Sequence, residues 1–134
     1  MRRKLPRGVA IGYWRAGDGW PIRRLDWPAD ERPIGSILFL GGRGDIFEKY
    51  LETFDRWHRR KWSVTAIDWR GHGGSGRLTG VSTVGHLDNF TVLLEDLTAF
   101  WAEWQDRPGP LVVVGHSMGG HVLLRTMLAG AVAP

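Results

Sequence analysis

Residues 111–125 read LVVVGHSMGGHVLLR. The run Leu111–Gly115, with three consecutive valines, has the β-branched character of a strand buried on both faces. From Met118 to Leu128 the apolar residues return at helical spacing. Between the two lies GHSMG, Gly115–Gly119, a G-x-S-x-G corner. A chain that turns this sharply from strand to helix needs glycine where the two backbones close on each other. It also holds Ser117 in a strained conformation, with Oγ projecting above the carboxyl ends of the strands. The N–H of Met118, at the start of the helix, is placed to donate to an anion with the helix dipole behind it. Ser117 therefore reads as a candidate nucleophile. The plainer alternative is a helix N-cap serine.

Working outward, the chain alternates strand and helix. VAIGYW and IRRLDW, Val9–Trp14 and Ile22–Trp27, read as a hairpin around the Gly17-Asp18-Gly19 turn. GSILFLGG, residues 35–42, is a short unbroken apolar run ended by glycines, again a buried strand. Asp45 followed by Glu48 looks like a capping box, and Ile46, Phe47, Tyr50, Leu51, Phe54 and Trp57 share one face of a helix over Asp45–Arg60. WSVTAID, residues 62–68, is a further strand, followed by the Gly-rich loop WRGHGGSGRLTG. A helical face recurs from Leu87 to Trp104, and RPGP breaks it before Leu111. Its apolar stripe fits core packing better than a membrane face. Alternation with continuous apolar strands predicts an α/β fold, a parallel sheet with helices on both faces.

Composition narrows the function. The chain has 134 residues, 43% of them apolar, with a formal charge of +4 and eight tryptophans. Acids are interspersed with the bases and no basic stripe forms, so nucleic acid is excluded as a partner. The net positive charge favours only weak peripheral contact with an anionic membrane surface. There are no cysteines, which removes disulfides, thiolate catalysis and Cys-based metal sites. A cytoplasmic location, peripheral to the inner face of the membrane, is the expectation. The basic start MRRKLPRG is not followed by an apolar segment, so no signal peptide is expected. GGRG and RGHGGSG lack both the P-loop and the dinucleotide fingerprint, so nucleotide binding is excluded. His72, His86 and His116 show no metal-ligand spacing and read as structural or surface residues. No metal or organic cofactor is implied.

Three motifs together resemble a known family. GHSMGG at Gly115–Gly120, LGGRGDIFEKY at Leu40–Tyr50 and DWRGHGGSGR at Asp68–Arg77 are similar, in order and spacing, to the elbow, oxyanion loop and D-x-R-G-x-G-x-S loop of α/β hydrolases. More narrowly, they resemble the lysophospholipase and monoacylglycerol lipase group, the serine aminopeptidase S33 type. The resemblance implies the N-terminal part of an α/β-hydrolase fold, a β-hairpin followed by parallel strands, with residues 1–134 an incomplete domain that stops after the nucleophile helix. It implies Ser117 as nucleophile and the N–H groups of Met118 and Arg43 as oxyanion donors. Gly41 stands where the family usually has histidine, which leaves a backbone donor unaffected. The Arg43 guanidinium is a candidate grip for an anionic phosphate head group, and Asp68 is expected to orient its loop rather than serve as the triad acid.

In that family the order is Ser, then Asp or Glu, then His. No acidic residue follows Ser117, and the one later histidine, His121, lies a single helical turn away. The implied function is hydrolysis of a carboxylic ester of a monoacyl lipid, with this chain inactive alone for want of acid and base. A peptidase or non-lipid esterase of the same superfamily, and a non-catalytic remnant or assembly-dependent fragment, are the alternatives. Three core parallel strands with an open edge predict marginal folding and a tendency to oligomerise.

Overall fold

The computed structural model describes residues 4–78 and 87–134. The hairpin forms from β1 (Ala10–Arg15) and β2 (Pro21–Trp27). Then come β3 (Gly35–Leu40), a 3-10 turn (Phe47–Tyr50) running into α1 (Leu51–His58), β4 (Trp62–Ile67), α2 (Thr91–Trp104), β5 (Leu111–Gly115) and α3 (Met118–Leu128). The five strands make one sheet in the order β1-β2-β4-β3-β5. β4, β3 and β5 run parallel, and β2 joins β4 antiparallel. This is the expected α/β arrangement, element for element.

Side-chain alternation divides the core in two. Leu38, Leu40 and Ile67 join Trp69, Leu93, Leu97, Phe100, Trp101 and Val122 on the face covered by α2 and α3. Phe39, Val64 and Ala66 join Phe47, Leu51 and Phe54 on the α1 face. All six residues of β3 are buried, as a strand covered on both sides requires. β5 differs from expectation: it is half-buried along its length, because it is an edge strand, with no partner beyond it among the described residues.

The chain leaves β3 towards α1 on one face and leaves β5 towards α3 on the other. Neighbouring parallel strands whose connections part to opposite faces open a crevice at their carboxyl ends. Gly41 and His116, the residues that follow these two strands, stand at that crevice.

The expected helix over Asp45–Arg60 is shorter and begins differently. The first turn is 3-10, and neither it nor α1 has a side-chain cap. Asp45 turns back to accept the Gly42 N–H instead, and Glu48 pairs with Arg23. The orphan N–H of Phe47 is taken by Asp68 Oδ1, 3.1 Å away. A tertiary carboxylate thus replaces the local capping box. The Leu87–Trp104 stripe is core, as expected, with the helix beginning at Thr91. No described helix is long and apolar enough to cross a membrane.

Arg70 ties the hairpin turn to α2. Its guanidinium donates to Asp96 (2.9 and 3.0 Å) and to Asp18 (2.6 and 2.8 Å). The Arg70 hydrogen bonds and the Trp20 N–H hold the Asp18 carboxyl down at about 2. Burial pushes Asp96 up, with Arg70 opposing it.

Two outcomes are expected. Leu38→Ala removes a side chain with 0% exposure and lowers unfolding free energy by about 2–5 kcal/mol, whereas Tyr13→Ala on the hairpin surface changes it by about 0.5 kcal/mol or less. Denaturant titration measures both. Asp18→Asn weakens the fold above pH 3.8, and the difference from wild type shrinks as pH falls towards 2. The sign follows from a carboxylate whose folded pKa is depressed: its contribution is complete above the unfolded value and lost through the folded one. Asp18 is half exposed, so water screens the effect and it is small.

Candidate active site

Ser117 occupies the corner between β5 and α3 with φ +51° and ψ −116°. A positive φ at a non-glycine residue is uncommon and persists only where the surroundings impose it. Here backbones impose it. His116 N–H donates to Leu40 O at 2.9 Å and Gly119 N–H to His116 O at 2.9 Å. A Cβ at Gly119 would lie 2.3 Å from Leu40 O, and one at Gly115 2.6 Å from the Gly120 Cα. Both glycines are therefore required for α3 to start against the end of β3. Ser117 precedes the helix but makes no side-chain cap hydrogen bond. The N-cap alternative does not describe this serine.

Beside the corner runs the 41–45 loop. Gly42 packs so closely that an added Cβ would sit 3.2 Å from the Ser117 Cβ. The loop is held from below by Trp69, whose indole Nε1–H donates to Gly41 O at 2.8 Å. Neither the Arg43 N–H nor the Met118 N–H donates to a backbone carbonyl among the described residues. The three residues assigned from sequence, Ser117, Met118 and Arg43, come together at one cavity of about 640 Å³, whose other described lining residues are His72, Leu87, Phe90 and His121.

The histidines divide. His72 is buried, its Nδ1–H donates to Arg70 O at 2.9 Å, and it lines the cavity. His121 is exposed and stacked on Phe90 with ring centroids 5.4 Å apart. His116 points away to Asp45 and Tyr50. His86 lies outside the described residues. Among the described residues no histidine or carboxylate bonds Ser117 Oγ, and no group of three or more potential ligands is placed to hold a metal.

Asp68 takes the orienting position expected for it. Its buried carboxylate accepts the N–H groups of Phe47 and Gly74 and an Arg23 N–H. Burial pushes its carboxyl up, against the pull of those donors. It thus couples the 73–76 loop to the start of the 3-10 turn. The sequence did not disclose the Trp69–Gly41 bond, the place of His72 at the cavity, or the turn of Asp45 towards Gly42. The tight spacing of D-x-R-G and G-G-x-G residues was the available signal, but it does not state which loop meets which.

In the full-length protein, Gly119→Ala is expected to prevent the corner from closing: the variant loses labelling of Ser117 by a fluorophosphonate probe and unfolds earlier. Gly12→Ala, where an added Cβ meets nothing within 4 Å, keeps both properties. Probe labelling and thermal melts on the same preparations check the pair.

Comparison with known proteins agrees with the fold. The family described as "Serine aminopeptidase, S33" matches residues 31–131. The chain is 37% identical over 127 residues to lysophospholipase L2 of Escherichia coli (strain K12), covering 86% of this chain and 36% of that protein. It is 31% identical to a putative monoglyceride lipase of Schizosaccharomyces pombe, covering 78% of this chain and 28% of that one. Among solved structures it resembles a soluble variant of monoglyceride lipase from Saccharomyces cerevisiae (TM-score 0.70, 24% identity, 87% of this chain and 36% of that chain). It also resembles an alpha/beta hydrolase from Novosphingobium aromaticivorans (TM-score 0.68, 22% identity, 92% and 40%). The chain spans only part of each of these proteins. With the family match running over residues 31–131, the chain belongs to the serine aminopeptidase S33 family of α/β hydrolases.

Proposed function

We propose that this chain carries the nucleophile and oxyanion hole of a serine hydrolase of carboxylic esters, with monoacyl lipids, lysophospholipids or monoacylglycerols, as substrates. The observation that carries the reading is the Ser117 corner. A serine at positive φ, not used as a helix cap, lines one cavity together with Met118 and Arg43. In the proposed reaction Ser117 Oγ attacks the ester carbonyl carbon as its proton passes to a histidine. The Met118 and Arg43 N–H groups hold the tetrahedral oxyanion. Collapse expels the alcohol, which takes the proton from that histidine, and leaves an acyl-enzyme. Water activated by the same histidine then releases the acid and restores Ser117. The histidine and its carboxylate are supplied from outside these 134 residues, and the chain by itself is inactive.

The substrate class rests on the relatives' names and on the lining. Leu87, Phe90 and Met118 offer apolar surface for an acyl chain. The family description also names an aminopeptidase. A free α-ammonium calls for a carboxylate, and none lines the cavity among the described residues, which favours the lipid ester. The exposed Arg43 side chain makes no ion pair among the described residues, which leaves its guanidinium available for a phosphate.

Ser117→Ala in the full-length protein is expected to lower kcat on a monoacyl ester by about 10⁶ and to abolish probe labelling. Retained turnover excludes Ser117 as nucleophile. Arg43→Ala is expected to slow lysophospholipid hydrolysis more than monoacylglycerol hydrolysis, since the backbone donor remains. Equal loss on both rejects a phosphate contact.

A further inference from the structure

Asp45 sits where the two halves of this site meet. Its Oδ2 accepts the Gly42 N–H at 2.9 Å, the Tyr50 hydroxyl at 2.7 Å and His116 Nδ1 at 3.3 Å. Its Oδ1 accepts Lys49 Nζ at 2.8 Å, and its own N–H donates to Gly42 O at 3.2 Å. Gly42 immediately precedes Arg43, and His116 immediately precedes Ser117 and Met118. Tyr50 OH and His116 Nδ1 are themselves 3.2 Å apart, so carboxylate, phenol and imidazole close into one cluster. The Asp45 side chain is 13% exposed. Burial alone would push its carboxyl up, but the bonds from Lys49, Tyr50 and Gly42 outweigh it and hold the group well below the usual carboxylate range. Burial and the Asp45 bond push the Tyr50 phenol up to about 12, so it stays a donor. The sequence resemblance assigns none of these contacts.

We propose that Asp45 is a positioning residue that fixes the spacing of the two oxyanion donors, by holding the Gly42–Arg43 peptide on one side and the His116–Ser117 corner on the other. It touches no substrate. Asp45 is not the triad acid: it reaches His116, whose ring makes no bond to Ser117 Oγ. Its effect falls on the transition state, because donor spacing matters most when the carbonyl oxygen has become an oxyanion. A loop tether serving only the fold would instead change stability and substrate affinity together.

The inference rests on the oxyanion roles proposed above, and the test separates the two. In the full-length protein, kcat, KM, the rate of fluorophosphonate labelling and the thermal midpoint are measured for wild type, Asp45→Ala and Asp45→Asn. Asparagine keeps an oxygen for the Gly42 N–H and so serves as the rescue. Asp45→Ala is expected to lower kcat and the labelling rate about 100-fold, with KM within about twofold of wild type, as expected when only transition-state stabilisation is lost, and Asp45→Asn recovers most of the loss. Wild-type kcat in Asp45→Ala, or equal losses in the two variants, overturns the positioning role while leaving the functional reading intact. Wild-type protein that neither labels nor hydrolyses esters overturns that reading and this one with it. If Asp45→Ala does not fold, Tyr50→Phe decides. Freed from the phenol, the carboxylate loses one of its three Oδ2 partners, and kcat falls several-fold at unchanged KM and melt. Unchanged kcat in that variant overturns the proposal.

Discussion

The start of α3 lies directly against the carboxyl end of β3. Gly119 approaches Leu40 O so closely that no side chain fits between them. Everything distinctive about the site depends on that contact. It bends the chain through Ser117 at positive φ and places the first turn of α3 over the sheet. It also brings the residues after β5 beside the loop that follows β3. A few backbone atoms in van der Waals contact thus achieve what side-chain packing would do more loosely. Main-chain atoms have no rotamers to relax into, so the corner tolerates little displacement.

Around the corner the polar groups follow one pattern. Much of the loop structure is held by buried side chains from distant segments. Trp69 holds Gly41 O, Asp68 holds the N–H groups of Phe47 and Gly74, and Arg70 holds Asp18 and Asp96. Three consecutive residues, Asp68–Arg70, therefore reach the 41–45 loop, the 3-10 turn, the hairpin turn and α2. Buried polar groups stay where they are only when each has a partner, and apart from Gly74, six residues from Asp68, these partners lie 21 to 52 residues away. The rigidity of the loops at the crevice is accordingly a property of the assembled sheet.

Much of this was legible in the chain itself. Continuous apolar strands alternating with helical stripes suffice for a parallel sheet covered on both faces, and the strand limits agree to within a residue at β1 and β2. G-x-S-x-G between strand and helix was enough to single out Ser117. The helix start at Asp45 was misread for a definite reason. Asp then Glu three residues on is a local signal, and its energy, about 1 kcal/mol, competes with charge pairing and loop bonds of equal or greater strength. Glu48 found Arg23 and Asp45 found Gly42, Tyr50 and Lys49. β5 was misread as fully buried for a related reason: three valines report that a strand is apolar but not whether it sits at an edge.

Residue types and periodicity, which are local and repeat along the chain, determined the order of elements, the two apolar faces of the sheet and the candidate nucleophile. The tertiary structure alone decided which loops share the crevice. The chain leaves β3 and β5 towards opposite faces, so segments some seventy residues apart, Asp45 and His116, come within 3.3 Å. No local pattern encodes that distance. It arises from the reversal of winding across the sheet, where carboxyl ends of neighbouring strands part and leave space for a ligand.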